Sequence, residues 1–435
     1  MESSQTQQNL YNVYEAYPYQ GQVPFTFSFR QDPDRLFPYA AAIPFYLRDR
    51  RVPAGPLDIL DVGCGAGVTT LLLAEANPGA HLTAIDLSVR SAQLTAERLQ
   101  FQGYTADCRG MAAEDLPQLG KQFDYINCHE VLYLLPDPWA GLQQMAAVLK
   151  PGGIIRANLH SANARVVFFR SQELMRMLGL MESAPSEFEH QVVREWMGAL
   201  KNDTFMKKAI WQDKYRDDAE FLNSNFLLQG DKGFSIPDLF SMLESAGLYF
   251  LGMVDSRSWN LLDLFAKPDE LPDTVRLFLE EASDMEQLHA HDLLVASHRL
   301  FDFWCSAQPT RELDLPGTWK ESQWAQAQAI LNPILKVERL ETSLRECLQE
   351  YEPLLINPLL PQTTAKPVYL TRPAQLCLRF LWEESLLVPE LIARVLPLLP
   401  PDPWTGQPLS QEQGVAQVRQ ALVQMEVILA VFLAV

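Results

Sequence analysis

Four residues of this 435-residue chain combine reactive side chains with telling positions: Asp61, Asp86, His129 and Glu130, each at the end of an apolar run. Asp61 opens Asp61-Val62-Gly63-Cys64-Gly65-Ala66-Gly67, where glycines let the backbone turn tightly and let a ligand lie against the main chain. Asp86 follows at roughly the 20-residue spacing that sets an acidic residue against ribose in dinucleotide-type sites. A carboxylate there can accept from both ribose hydroxyls. His129 and Glu130 carry side chains that could hold or remove a proton. The glycine turn is not a phosphate loop, because Gly67 is followed by Val68 and not by Lys-Ser or Lys-Thr. Val68 also occupies the place of the third dinucleotide-fingerprint glycine.

These residues need a scaffold that brings strand ends together, and the hydrophobic pattern predicts one. Asp58–Val62, His81–Asp86, Gly103–Met111 and Gln122–Cys128 read as strands. Leucine-rich helices are expected from Val68 to Ala76 and, capped by Ser88, from Val89 to Phe101. Strand and helix in alternation from Leu57 to about Asn163 predict a parallel sheet covered on both faces. In such sheets ligands gather at the carboxyl ends of the strands, where His129 and Glu130 lie. For His129 a buried, hydrogen-bonded structural histidine is the competing reading.

With 48% hydrophobic residues the chain can build two or three cores. A formal net charge of -19 argues against a nucleic-acid partner, since phosphate binding needs a basic surface. The polar start and the lack of a long apolar run predict a cytoplasmic protein with no membrane span. Cys64, Cys108, Cys128, Cys305, Cys347 and Cys377 show no Cys-x-x-Cys spacing, so neither a zinc site nor disulfides are expected.

The glycine turn closing its strand resembles the first motif of class I S-adenosylmethionine-dependent methyltransferases. Phe123-Asp124-Tyr125-Ile126-Asn127-Cys128-His129-Glu130 through Leu135-Pro136 resembles their fourth motif, and Leu149-Lys150-Pro151-Gly152-Gly153 their turn into the fifth strand. The resemblance implies a Rossmann-like α/β fold, a seven-stranded sheet with helices on both faces, and S-adenosylmethionine as cofactor. Its implied contacts are Asp61, Gly63, Cys64, Gly65 and Gly67 around the methionine part, Asp86 and Leu87 at the ribose, Ala113 and Glu114 at the adenine, and His129 facing the methyl. Many small-molecule members carry a histidine before the leucine-proline of the fourth motif; Leu134 stands there in this chain, so that role does not transfer.

Around this sheet three regions are expected. Residues 1–52 hold a glutamine-rich disordered start, the aromatic stretch Tyr11–Tyr19, and a helix from Asp32 to about Arg51. The aromatics suit either a strap over the domain surface or a lid whose rings face a cation. Residues 53–265 form the catalytic domain, with a helical insertion at about 166–230, where Tyr215–Asn223 could reach over the site. Residues 266–435 read as a mainly helical region. There His289, His291 and His298 invite a metal reading, but their spacing on a helix face is wrong, and a surface helix is expected. Val415, Val418, Leu422, Met425, Leu429 and Phe432 form a heptad-like stripe suited to a core helix or to a dimer seam.

The overall order of motifs is similar to bacterial protein-lysine methyltransferases carrying a methyltransferase regulatory region. It implies methyl transfer to a protein lysine, and a small-molecule acceptor is equally compatible. His129, Glu130 and Tyr17 are the candidate catalytic residues. A non-catalytic protein that binds S-adenosylmethionine or S-adenosylhomocysteine as a sensor or scaffold is the alternative.

Overall fold

A computed structural model describes residues 2–311, 313–360, 367–402 and 404–435, with side chains from residue 6 onward. The chain divides into two compact units. The first holds residues 2–26, Asp58–Leu71 and His81–Gln308; the second holds Phe27–Leu57, Leu72–Ala80 and Pro309–Val435.

The first unit is built on a sheet of strands β1 (Asp58–Val62), β2 (His81–Asp86), β3 (Ala106–Gly110), β4 (Phe123–Cys128), β5 (Leu149–Ser161), β6 (Gly233–Phe234), β7 (Tyr249–Met253) and β8 (Leu300–Ser306). Their order is β3-β2-β1-β4-β5-β8-β7, with β6 beside the end of β5. β1 to β5 run parallel, as the alternation requires. Ile59, Leu60, Val62, Tyr125 and Ile126 are at most 1% exposed, because helices cover both faces and leave such strands no polar side. Ser88 Oγ accepts from the Ser91 amide and so starts the helix Val89–Phe101 where expected.

Three features differ from the expectation. The polar start is ordered: Glu2–Ala16 is a helix, because Leu10, Val13 and Tyr14 give it an apolar side that packs within the unit. The sheet does not end near residue 265. β8, from a region expected to be helical, inserts antiparallel between β5 and β7, pairing Ile154 with Ser306 through His160 with Leu300. Its sequence Leu300-Phe301-Asp302-Phe303-Trp304-Cys305-Ser306 alternates, but no neighbouring strand in the chain announces its partner. Third, His291 is not on a surface helix face. In the helix Asp284–Val295 it is buried at 2% exposure, 5.2 Å from the Trp259 ring, on which His298 stacks at 4.3 Å. The insertion 166–230 is helical as expected and has its own core of Met175, Val193, Met197, Leu222 and Phe226.

The second unit is mainly helical, with two small sheets: β9 (Gln328–Leu331) between β12 (Leu386–Leu387) and β13 (Val431–Ala434), and the pair β10 (Leu354–Leu355) and β11 (Tyr369–Leu370). The expected helix from Asp32 to Arg51 is broken into Pro33–Leu36, a short 3-10 turn and Ala42–Asp49, because Pro38 lies within it. Val418, Leu422 and Met425 of the helix Gln411–Val427 are fully buried inside this unit, and Phe432 belongs to β13. Four of the six stripe residues are therefore core, while Val415 and Leu429 are partly buried.

Candidate active site

The glycine turn sits at the carboxyl end of β1, and its geometry explains its composition. Gly63 has φ +78°, and a Cβ there would lie 2.1 Å from Val131 Cγ2; at Gly67, φ +84°, it would lie 2.8 Å from the Thr95 backbone. Any other residue would push the turn away from β4 or from the helix Val89–Phe101. Beneath it Asp61 is 1% exposed and accepts from Thr70 Oγ1 at 2.7 Å and Asn127 Nδ2 at 2.8 Å. Burial raises its pKa to about 6 against these hydrogen bonds. Asp61, Cys64 and Gly67, expected as cofactor contacts, are not among the residues that line the cavity above the turn.

Above the turn lies a cavity of about 470 Å³, lined by residues of the first unit alone. Of the expected contacts, Gly63, Gly65, Asp86, Leu87, Ala113, Glu114, His129 and Glu130 line it. Asp86 accepts from the amides of Gly65 and Ser88, both at 2.9 Å, and burial raises its carboxyl to about 6. Tyr17 does not line the cavity: it follows the end of the helix Glu2–Ala16 and is 48% exposed. Gln7, Leu10 and Tyr14, one helical face, line the wall instead, together with Tyr19 from the following loop. Tyr19 also docks the turn, its carbonyl accepting from Ala66 N at 3.0 Å. The insertion contributes Tyr215, Glu220 and Phe221, so that the stretch Tyr215–Asn223 does reach the cavity.

The end of β4 carries the most organised chemistry. Glu130 adopts φ +62°, a left-handed conformation that a glutamate takes only when its surroundings impose it. Asn158 Oδ1 holds its amide at 2.9 Å, Tyr133 donates to Oε2 at 2.6 Å, and Arg299 forms an ion pair with both oxygens. Burial by itself would raise the Glu130 carboxyl, but the ion pair with Arg299 holds it well below the usual carboxylate range. Glu130 is therefore a fixed anion. His129 is lowered as well, first by burial and then by the nearby Arg156, which disfavours the imidazolium and keeps the ring unprotonated. Tyr14, Tyr19 and Tyr133 are all raised, first by burial and then by neighbouring carboxylates, so their phenols keep their protons.

Residues 60–155, from β1 into β5, match the family model described as a methyltransferase domain. The ubiquinone biosynthesis O-methyltransferase of Bordetella avium is 30% identical over 164 residues, 37% of this chain and 67% of that relative. The chain belongs to the class I S-adenosylmethionine-dependent methyltransferases. Its cofactor is S-adenosylmethionine. An uncharacterized protein, syc1184_c of Synechococcus sp., is 29% identical over 284 residues, covering 64% of this chain and 66% of its own length. The fold is similar to that of PKMT2 from Rickettsia typhi across 94% of this chain and 76% of that one, at a TM-score of 0.54 and 16% identity. The same PKMT2 has been solved in complex with AdoHcy.

The cavity suits the cofactor of this methyltransferase family. A buried carboxylate at Asp86, met by backbone amides, leaves lone pairs for donors such as hydroxyls. The turn at Gly63 and Gly65 brings bare backbone to the wall. Arg299, Glu220, Tyr14 and Tyr19 are wall residues outside the family motifs. Arg299 directly follows His298, and nothing in its local sequence distinguishes it.

Proposed function

We propose that this methyltransferase acts on an amine nitrogen, in a protein lysine or a small molecule. The observation that carries the reading is the charge of the cavity wall. Asp86, Glu114, Glu130, Asp218 and Glu220 line it, with Arg299 as its basic partner among the described residues. With Tyr14, Tyr19, Tyr133 and Tyr215 added, the wall attracts a cation through both carboxylates and ring faces. An amine arriving as ammonium fits this surface; an anionic acceptor does not.

S-adenosylmethionine, when bound, supplies an electrophilic methyl group open to in-line attack. The chain's part is orientation, exclusion of water and removal of one proton from the acceptor. Asp86 and Leu87 would hold the ribose, Ala113 and Glu114 the adenine, and Gly63 and Gly65 the methionine part, with Asp61, Cys64 and Gly67 behind the turn. His129 is the base, since its lowered pKa leaves it unprotonated near neutrality. Glu130, paired with Arg299, keeps its charge and position and does not carry a proton.

The test is purified protein incubated with methyl-labelled S-adenosylmethionine and a cell extract, followed by mass spectrometry. A labelled amine, on lysine or on a small molecule, is expected. Label on oxygen or carbon would refute the amine reading, and cofactor binding with no labelled product would favour a sensor or scaffold.

A further inference from the structure

One face of β5 carries a row of polar side chains that the motifs do not predict: Arg156, Asn158 and His160, at alternate positions and at most 2% exposed. Burying such a row costs several kcal/mol in lost hydration unless each group is paired. Arg156 pairs with Asp302 at 2.7 Å, Asn158 Oδ1 holds the Glu130 amide at 2.9 Å while its Nδ2 meets no acceptor among the described residues, and His160 meets Asp231 at 2.6 Å. The His160 environment is the most complete. Arg299 Nη1 lies 3.0 Å from His160 Nε2, and a guanidinium only donates, so Nε2 accepts and the ring proton is on Nδ1, directed at Asp231. Asp231 is fixed in turn by Arg165 at 2.8 Å and Gln172 at 2.9 Å, and the Tyr133 ring stacks on the imidazole at 3.6 Å.

We propose that His160 and Asp231 are positioning residues, a buried carboxylate–imidazole pair that sets Arg299, and through it Glu130 and Tyr133, at the acceptor end of the cavity. The chain of contacts runs Asp231, His160, Arg299, Glu130, Tyr133, and its last three members line the cavity. The first two touch no ligand space; they decide where the guanidinium points. Without the Nε2 acceptor, Arg299 loses one of its two anchors, and the Glu130 carboxylate loses the geometry in which Tyr133 donates to it. This inference rests on the methyl-transfer reading.

The experiment compares full-length His160→Phe, His160→Gln and Asp231→Asn with wild type. Phenylalanine keeps the stack on Tyr133 and loses both hydrogen bonds; glutamine can accept from Arg299 and donate to Asp231. S-adenosylhomocysteine affinity is measured by calorimetry, methyl transfer to the extract acceptor by label, and the Arg299 position by crystallography. His160→Phe and Asp231→Asn should bind S-adenosylhomocysteine within about threefold of wild type while transfer falls at least tenfold, with a raised KM for the acceptor, and His160→Gln should recover most of it. Transfer unchanged in His160→Phe, or S-adenosylhomocysteine affinity falling in step with transfer, would overturn the assignment. If wild type itself yields no labelled product, the methyl-transfer reading fails and the crystal structure decides the positioning: Arg299 still on Glu130 in His160→Phe refutes it.

Discussion

Asn127 donates to the buried carboxylate of Asp61 at 2.8 Å, across the register that pairs these residues between β1 and β4. The bond joins the strand that carries the glycine turn to the strand that ends in His129 and Glu130, so the two halves of the site share one rigid pair.

That pair makes stability depend on pH. Burial holds Asp61 at about 6 in the fold, above its ordinary value of 3.8, so the folded state favours the protonated form. This contribution is fully present below the unfolded value and is lost as pH rises through about 6. Asp61→Asn lacks the titration and keeps a carbonyl for Asn127. Denaturant unfolding should find the stability of Asp61→Asn, relative to wild type, higher at pH 8 than at pH 5 by roughly 1.4 kcal/mol. A pH-independent difference would contradict the ionisation assigned to Asp61.

Asp86 makes cofactor affinity depend on pH. Its carboxyl sits at about 6 and must be ionised to accept two hydroxyl donors. S-adenosylhomocysteine affinity, measured by calorimetry, should weaken as pH falls below about 6, approaching tenfold per unit. Asp86→Asn should bind about 10- to 100-fold more weakly at pH 8, the worth of a charged hydrogen bond, with a flatter profile.

Gly63→Ala tests the turn. The added methyl would meet Val131 Cγ2 at 2.1 Å in a backbone at φ +78°. Strain of about 1 to 3 kcal/mol is expected for the left-handed backbone alone. The variant should lose thermal stability and S-adenosylhomocysteine binding together; a variant with wild-type affinity would show that the turn does not need glycine there.

The tyrosines separate by position. Tyr14 lines the cavity and Tyr17 is 48% exposed. Tyr17→Ala should change stability by no more than about 0.5 kcal/mol and leave transfer intact, while Tyr14→Phe should slow transfer several-fold at an unchanged melting temperature. The opposite ranking in a labelled-product assay would return the catalytic role to Tyr17.

Much of the scaffold is legible in the chain because its signals are local. The strand ends at Asp61, Asp86 and Cys128, the cap at Ser88 and the glycines follow from hydrophobic runs and turn chemistry within a few residues of each other. The first helix is not read in advance: Gln7, Leu10 and Tyr14 repeat at helical spacing, but the glutamine-rich composition around them predicts disorder. Tyr17 misleads because its aromatic neighbours share its composition, while the helix end after Ala16 turns it outward.

The other part of the site is written in pairings between residues far apart in the chain. Arg299 reaches Glu130 only because β8 inserts antiparallel beside β5. Asp231 meets His160, and Glu220 of the insertion meets Gln20 at 3.1 Å, by contacts that no local pattern encodes. The sequence by itself determined the parallel strands of the sheet, the glycine turn and the carboxylates at the strand ends, which follow from periodicity and short motifs. Only the tertiary structure decided which distant ions share a buried space, and therefore which carboxylates stay charged, which histidine can take a proton and which tyrosines face the ligand.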